Sequence, residues 1–124
     1  MFQMDGIALL EQEARYCFNF LWEHTNTDIN SPGYGLIIDT TDKPEVASIA
    51  SVGFGLSAIP IGVERGWITY EQGYERTYST LKTLIHNVDQ YKGFYAHFTD
   101  IKTGKRYNNC EYSTIDTAIL VNGA

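Results

Sequence analysis

Basic residues are scarce in this sequence of 124 residues. Nine Lys and Arg stand against fifteen Asp and Glu, a net charge of −6, and they nowhere gather into a block. Affinity for nucleic acid rests on clustered Lys and Arg, so no nucleic-acid partner is expected. Cysteine is almost absent. Cys17 and Cys110 have no metal-ligand spacing; a disulfide between them is open, but their placement does not imply one. His24, His86 and His97 form neither HExxH nor another zinc pattern, so neither a metal nor a cofactor is expected. Long apolar runs are missing too, and no stretch approaches the ~20 residues of a membrane span. Met1–Leu10 has no basic start, and its short apolar run is interrupted by Asp5 and Gly6, which is not the pattern of a signal peptide. The expectation is a cytoplasmic chain by default, or one whose true start is missing.

Aromatic residues are plentiful, at 14% with nine Tyr. Tyr and Trp give flat faces with a polar handle, suited to sugar rings and equally to a core. The length fits one domain or part of one, able to bury about two-thirds of its unfolded surface.

Asp5 is the expected cap of a first helix running to about Glu23, with Ile7, Leu10, Ala14, Cys17, Phe18 and Leu21 at helical spacing. Trp22 reads as core. Residues 25–46 read as loop, dense in turn formers, with a short extended piece, Tyr34–Asp39, inside it. Asp39 reads as a turn residue or a substrate-contacting carboxylate. A second helix is expected over Ala47–Arg65, rich in small residues that let a neighbour approach, kinked at Pro60 and ended by Gly66. Thr69 and Gln72 spell a capping box, opening a third helix from Tyr70 to about Asn87. Its buried stripe is expected at Tyr74, Thr77, Leu81, Leu84 and Ile85, with Glu71, Glu75, Arg76 and Lys82 on a solvated face. Gly93–Asp100, turning back through Thr103-Gly104 to Lys105–Tyr107, reads as a small hairpin. His97 within it suits a hydroxyl or carboxylate partner, or a structural hydrogen bond.

The chain closes on Cys110–Ala124. Ser113 with an acid three residues on marks a helix start: Ser113 caps, and Asp116 sits near the positive end of the dipole. Glu111 lies on the feeding loop. Spacing alone favours a capping role for Asp116 and a surface role for Glu111; the functional alternative puts both in a cleft handling a polar substrate. Long loops alternating with a short helical hairpin allow both long loops to gather at one mouth, making Asp39, His97, Glu111 and Asp116 possible neighbours.

Three ordered segments carry a resemblance. They are Ser48–Leu56 running to Glu64–Thr69, Gly93–Phe98 with Asp100 and Thr103-Gly104, and Glu111–Ala118, with Gly35–Asp39 also fitting. Together they resemble the glucoamylase-like bacterial domain family, related to endo-β-1,2-glucanases and to a module of cyclic β-1,2-glucan synthases. The resemblance implies an all-α fold: the N-terminal helical hairpins, about four helices, of an (α/α)6 barrel, with long loops and a small β-hairpin. Residues 1–124 would then be the N-terminal portion of one domain, truncated at its C-terminus and inactive alone. It implies glucan as the partner, β-1,2-glucan favoured, and hydrolysis or remodelling by carboxylate acid/base chemistry. Glu111 and Asp116 would be the catalytic acids, with Asp39, His97, Tyr95 and Phe94 contacting substrate. The alternative is a non-catalytic carbohydrate-binding module, or one that self-associates through exposed helix faces.

Overall fold

The computed structural model describes residues 5–124, so the reading of Met1–Leu10 as no leader falls partly outside it. The elements are α1 (Gly6–Glu23), β1 (Val46–Ser48), α2 (Ile49–Glu64), α3 (Tyr70–His86), β2 (Gln90–Tyr91), β3 (Phe94–Tyr95), β4 (Phe98–Asp100) and α4 (Thr114–Gly123). The four helices and intervening loops follow the expected order. Among the described residues no helix is long and apolar enough to cross a membrane.

Local chemistry sets the helix starts. The Asp5 carboxylate accepts from Ala8 N at 2.8 Å, and the Ser113 hydroxyl from Asp116 N at 3.1 Å. Thr69 and Gln72 close a reciprocal capping box, satisfying two amides that the helix itself leaves without partners. Gly66, at φ +72°, ends α2 with paired bonds from Gly66 N to Val63 O and from Trp67 N to Gly62 O. This is a Schellman turn, and it links α2 tightly to α3.

The core forms around α2, where Ile49, Val52, Leu56 and Ile59 meet Phe18 of α1, Leu84 of α3, Leu120 of α4 and the loop residues Leu36 and Ile37. The small residues of α2 set the approach. A Cβ at Gly53 would lie 2.5 Å from the Ile119 carbonyl oxygen, and one at Gly62 would lie 2.4 Å from the Phe18 ring. Glycine lets α4 and α1 rest almost on the α2 backbone.

Two helical stripes differ from expectation. On α1, Ile7, Leu10 and Cys17 are exposed; Phe18 is buried, and Leu21 and Trp22 pack against the core. Only the second half of this helix lies on α2. On α3 the buried positions are Gly73, Thr80, Thr83 and Leu84, while Tyr74 and Ile85 face outward. Arg76 accounts for part of this rotation. It is not on a solvated face: its guanidinium lies 3.6 Å over the Trp22 ring and donates to Trp22 O at 3.0 Å. Burial lowers its pKa, an effect opposed by the Tyr34 hydroxyl. Tyr70, Tyr74 and Tyr78 stack in an outward row, with centroids 6.3 and 6.1 Å apart.

Val46–Ser48 were expected in or beside α2 but form a strand, pairing antiparallel with β4 (Val46 opposite Asp100, Ser48 opposite Phe98). Ile38 bridges to Ala47 on its other side, and Thr99 bridges to Arg106. The expected hairpin is present, with Asp100 N donating to Lys105 O at 2.8 Å and Tyr107 N to Phe98 O at 3.0 Å around Gly104 at φ +73°. A second, tighter one that was not expected joins β2 and β3, turning through Lys92 and Gly93 at φ +51° and +85°. The two long loops are thus stitched to each other beside the start of α2. Asn26 Nδ2 to Ile101 O (2.9 Å) and Ser31 Oγ to Lys102 O (2.7 Å) add to the seam.

Candidate functional site

His97 sits between β3 and β4 with its backbone fixed on both sides. Its carbonyl accepts from Ile49 N at 3.2 Å, and its N–H donates to Glu111 O at 3.0 Å. The imidazole stacks on the Phe98 ring, with centroids 3.8 Å apart. Its Nδ1 is 2.7 Å from Glu111 Oε1, and its Nε2 is 3.5 Å from Asp116 Oδ2. Both ring nitrogens therefore face carboxylates, and only the doubly protonated ring can donate to both.

The two acids differ. The Glu111 side chain is 66% exposed, that of Asp116 only 13%. The hydrogen bond from His97, followed by that from its own backbone amide, holds the Glu111 carboxyl below the usual glutamate range. Asp116 turns inward to accept the Ser113 hydroxyl at 2.5 Å, while the Ser113 oxygen accepts the Asp116 amide. Ser113, read from sequence as a cap, thus also holds the buried acid.

The remaining candidates lie elsewhere or do other work. The Tyr95 ring packs against the core, and its hydroxyl donates to Leu84 O at 2.9 Å. Its amide donates to Thr117 Oγ1, and burial raises its pKa. Tyr95 is therefore turned into the fold, because α3 supplies an orphan carbonyl within reach. Phe94 is 44% exposed on β3, opposite Tyr91. Asp39 is exposed, and its amide binds Val46 O at 3.0 Å. Strand register sets Asp39 level with Val46 and Asp100, two strands across and three residues along from His97, about 14 Å by ordinary strand spacings. The structure joins His97, Glu111 and Asp116; it does not bring Asp39 into their contact.

Sequence reading did not single out the aromatic and basic groups beside Glu111. Tyr112 lies 5.8 Å from the Tyr91 ring and beneath the Arg106 guanidinium at 5.0 Å. A run of aromatic residues within loops was the available signal, but their convergence depends on the Ala96–Tyr112 bridge. Cys17 and Cys110 are both free thiols. Among the described residues no three His, Cys, Asp or Glu side chains are grouped to hold a metal.

No family model matches the chain. The exo β-1,2-glucooligosaccharide sophorohydrolase (non-reducing end) of Parabacteroides distasonis is 30% identical over 105 residues, 84% of this chain and 14% of that protein. The solved structure of a glucoamylase-like protein from Bacteroides uniformis superposes with a TM-score of 0.83 at 29% identity, over 99% of this chain and 30% of that one. The β-1,2-glucanase of Parabacteroides distasonis superposes with a TM-score of 0.81 at 26% identity, over 99% of this chain and 18% of that one. The chain spans less than a third of each of these proteins. Over nearly its whole length, then, it is related to one part of the glucoamylase-like and β-1,2-glucan-hydrolysing proteins, as its ordered sequence segments imply.

Proposed function

We propose that this chain is one part of a glucan-active (α/α)6 domain, with β-1,2-glucan as its substrate, and that Glu111 is the carboxylate it turns toward the sugar. The observation carrying this reading is the line from exposed Glu111 through His97 to buried Asp116, at the end of the fold where the two long loops are stitched together. The relatives' printed activities on β-1,2-linked sugars supply the linkage.

The geometry divides the labour between the acids. Glycoside hydrolysis needs one carboxyl group to protonate the leaving oxygen and another to activate water or attack. With its pKa depressed by His97, Glu111 is ionised at neutral pH. It suits accepting a proton from water or from a sugar hydroxyl, and it is a poor proton donor. Asp116 is assigned a holding role: it is engaged by Ser113 and faces His97. The proton donor then lies in another part of the domain, which agrees with the share of the solved relatives that this chain covers. Phe94 offers an exposed ring on β3, and Asp39 a more distant polar contact.

The test is release of reducing ends from β-1,2-glucan by the longest polypeptide carrying this segment, with and without Glu111→Gln. The variant should lose at least ~100-fold in kcat, the scale of an acid/base group. Unchanged turnover removes Glu111 from the chemistry. The 124-residue chain alone should show no turnover.

A second reading is a non-catalytic or self-associating module. It is favoured by an apolar groove between α1 and α2, lined by Cys17, Phe20, Leu21, Phe54, Ala58 and Ile61, with Phe54 57% and Ile61 52% exposed. Sedimentation decides it: a stable monomer that binds no glucan rules it out.

A further inference from the structure

Glu111 is delivered by an unusual piece of backbone. Asn108 and Asn109 carry φ of +46° and +53°, two successive left-handed residues that are not glycine. Cys110 N donates to Tyr107 O at 3.0 Å, closing a type I′ turn whose two central positions both need the left-handed conformation that Asn tolerates better than most residues.

Arg106 braces this turn from its carbonyl side. Its Nε donates to Cys110 O at 2.6 Å, and its Nη2 donates to Asn109 O at 2.9 Å, a fork across consecutive carbonyls. Arg106 is itself fixed, since its backbone amide donates to Asp89 Oδ2 at 2.7 Å. From the other side the Cys110 thiol donates to Phe98 O at 3.2 Å, and its sulfur accepts from Phe98 N. The next residue is Glu111, whose carbonyl meets His97 N and whose carboxylate meets His97 Nδ1. Among the described residues Arg106 forms no salt bridge with a carboxylate, and its charge is not among the causes that lower the Glu111 pKa. Its influence runs through the main chain.

We propose that Arg106 is a positioning residue: its guanidinium fork locks the Asn108–Asn109 turn and so fixes Glu111 against His97. Its importance for activity rests on the assignment of Glu111 as the substrate-facing acid; its geometry does not. A lysine at this position keeps the charge but loses the planar fork.

The experiment uses the 124-residue chain. Carboxyl NMR follows the titration of Glu111, and backbone couplings follow φ at Asn108 and Asn109, in the parent, Arg106→Lys and Arg106→Met. In both variants the Glu111 midpoint should rise toward that of an ordinary glutamate, and the two couplings should shift as the turn opens. Adding Asn109→Gly to Arg106→Met should move the Glu111 midpoint back toward the parent value, because glycine holds the left-handed turn without help. An unchanged Glu111 midpoint in Arg106→Met overturns the proposal. Full retention of the parent behaviour by Arg106→Lys, with loss in Arg106→Met, also overturns it, since charge rather than the fork would then be responsible. These readings need no glucan, so failure here is distinct from inactivity of Glu111→Gln in the longer protein.

Discussion

Replacing Ser113 with alanine tests how firmly the site is built into α4. The hydroxyl makes two bonds. It accepts the Asp116 amide at 3.1 Å, which caps the helix, and it donates to the Asp116 carboxylate at 2.5 Å. Loss of a serine cap costs about 1 kcal/mol. Loss of a hydrogen bond to a charged group costs about 1.5–3 kcal/mol, and the Asp116 side chain, 13% exposed, has little water to replace it. Ser113→Ala should therefore lose about 3 kcal/mol. For a domain of this size that is a fall in Tm of about 10 °C. Urea denaturation at neutral pH, followed by circular dichroism, measures the loss directly. Ser113→Thr, which keeps the hydroxyl, should recover most of it. A loss below about 0.5 kcal/mol, or a threonine variant no better than alanine, would refute the reasoning.

Other perturbations probe separate links. Gly53→Val should destabilise by about 3 kcal/mol in the same assay, because its Cβ meets the Ile119 backbone at 2.5 Å; Gly6→Ala, with nothing within 4 Å of the added carbon, should be neutral or mildly stabilising. Tyr95→Phe strands the Leu84 carbonyl and should cost about 1 kcal/mol while leaving glucan binding intact. His97→Gln removes the leading cause of the depressed Glu111 pKa. A depressed folded-state value contributes stability at pH above the ordinary glutamate range, and that contribution is lost as pH falls through the depressed value. The stability gap between parent and His97→Gln, measured by denaturation across acidic pH, should therefore narrow on acidification.

What the sequence revealed was what short range decides. The caps at Asp5, Thr69 and Ser113, the left-handed stop at Gly66 and the small-residue face of α2 each depend on residues within a turn or two. Features set by distant partners were hidden. Val46–Ser48 became a strand because β4 lies alongside, and Arg76 was drawn over the Trp22 ring of α1. For the site, the alternation of long loops with a short helical hairpin allowed Asp39, His97, Glu111 and Asp116 to meet, while spacing alone favoured capping and surface roles for the two acids. The family resemblance raised Glu111, Asp116 and His97 to candidates, and the fold joined them. Asp39 was read first from its loop and Tyr95 from the resemblance, but strand register puts Asp39 about 14 Å from His97, and a free carbonyl on α3 turns Tyr95 inward.

Where sugar meets this chain is tested most directly by a titration with a β-1,2-linked gluco-oligosaccharide followed by amide NMR. Shifts centred on Glu111, His97 and Phe94, with the Tyr70–Tyr74–Tyr78 row unmoved, are the expected result. Saturation with no change at Glu111 or His97, or changes confined to α3, would contradict it.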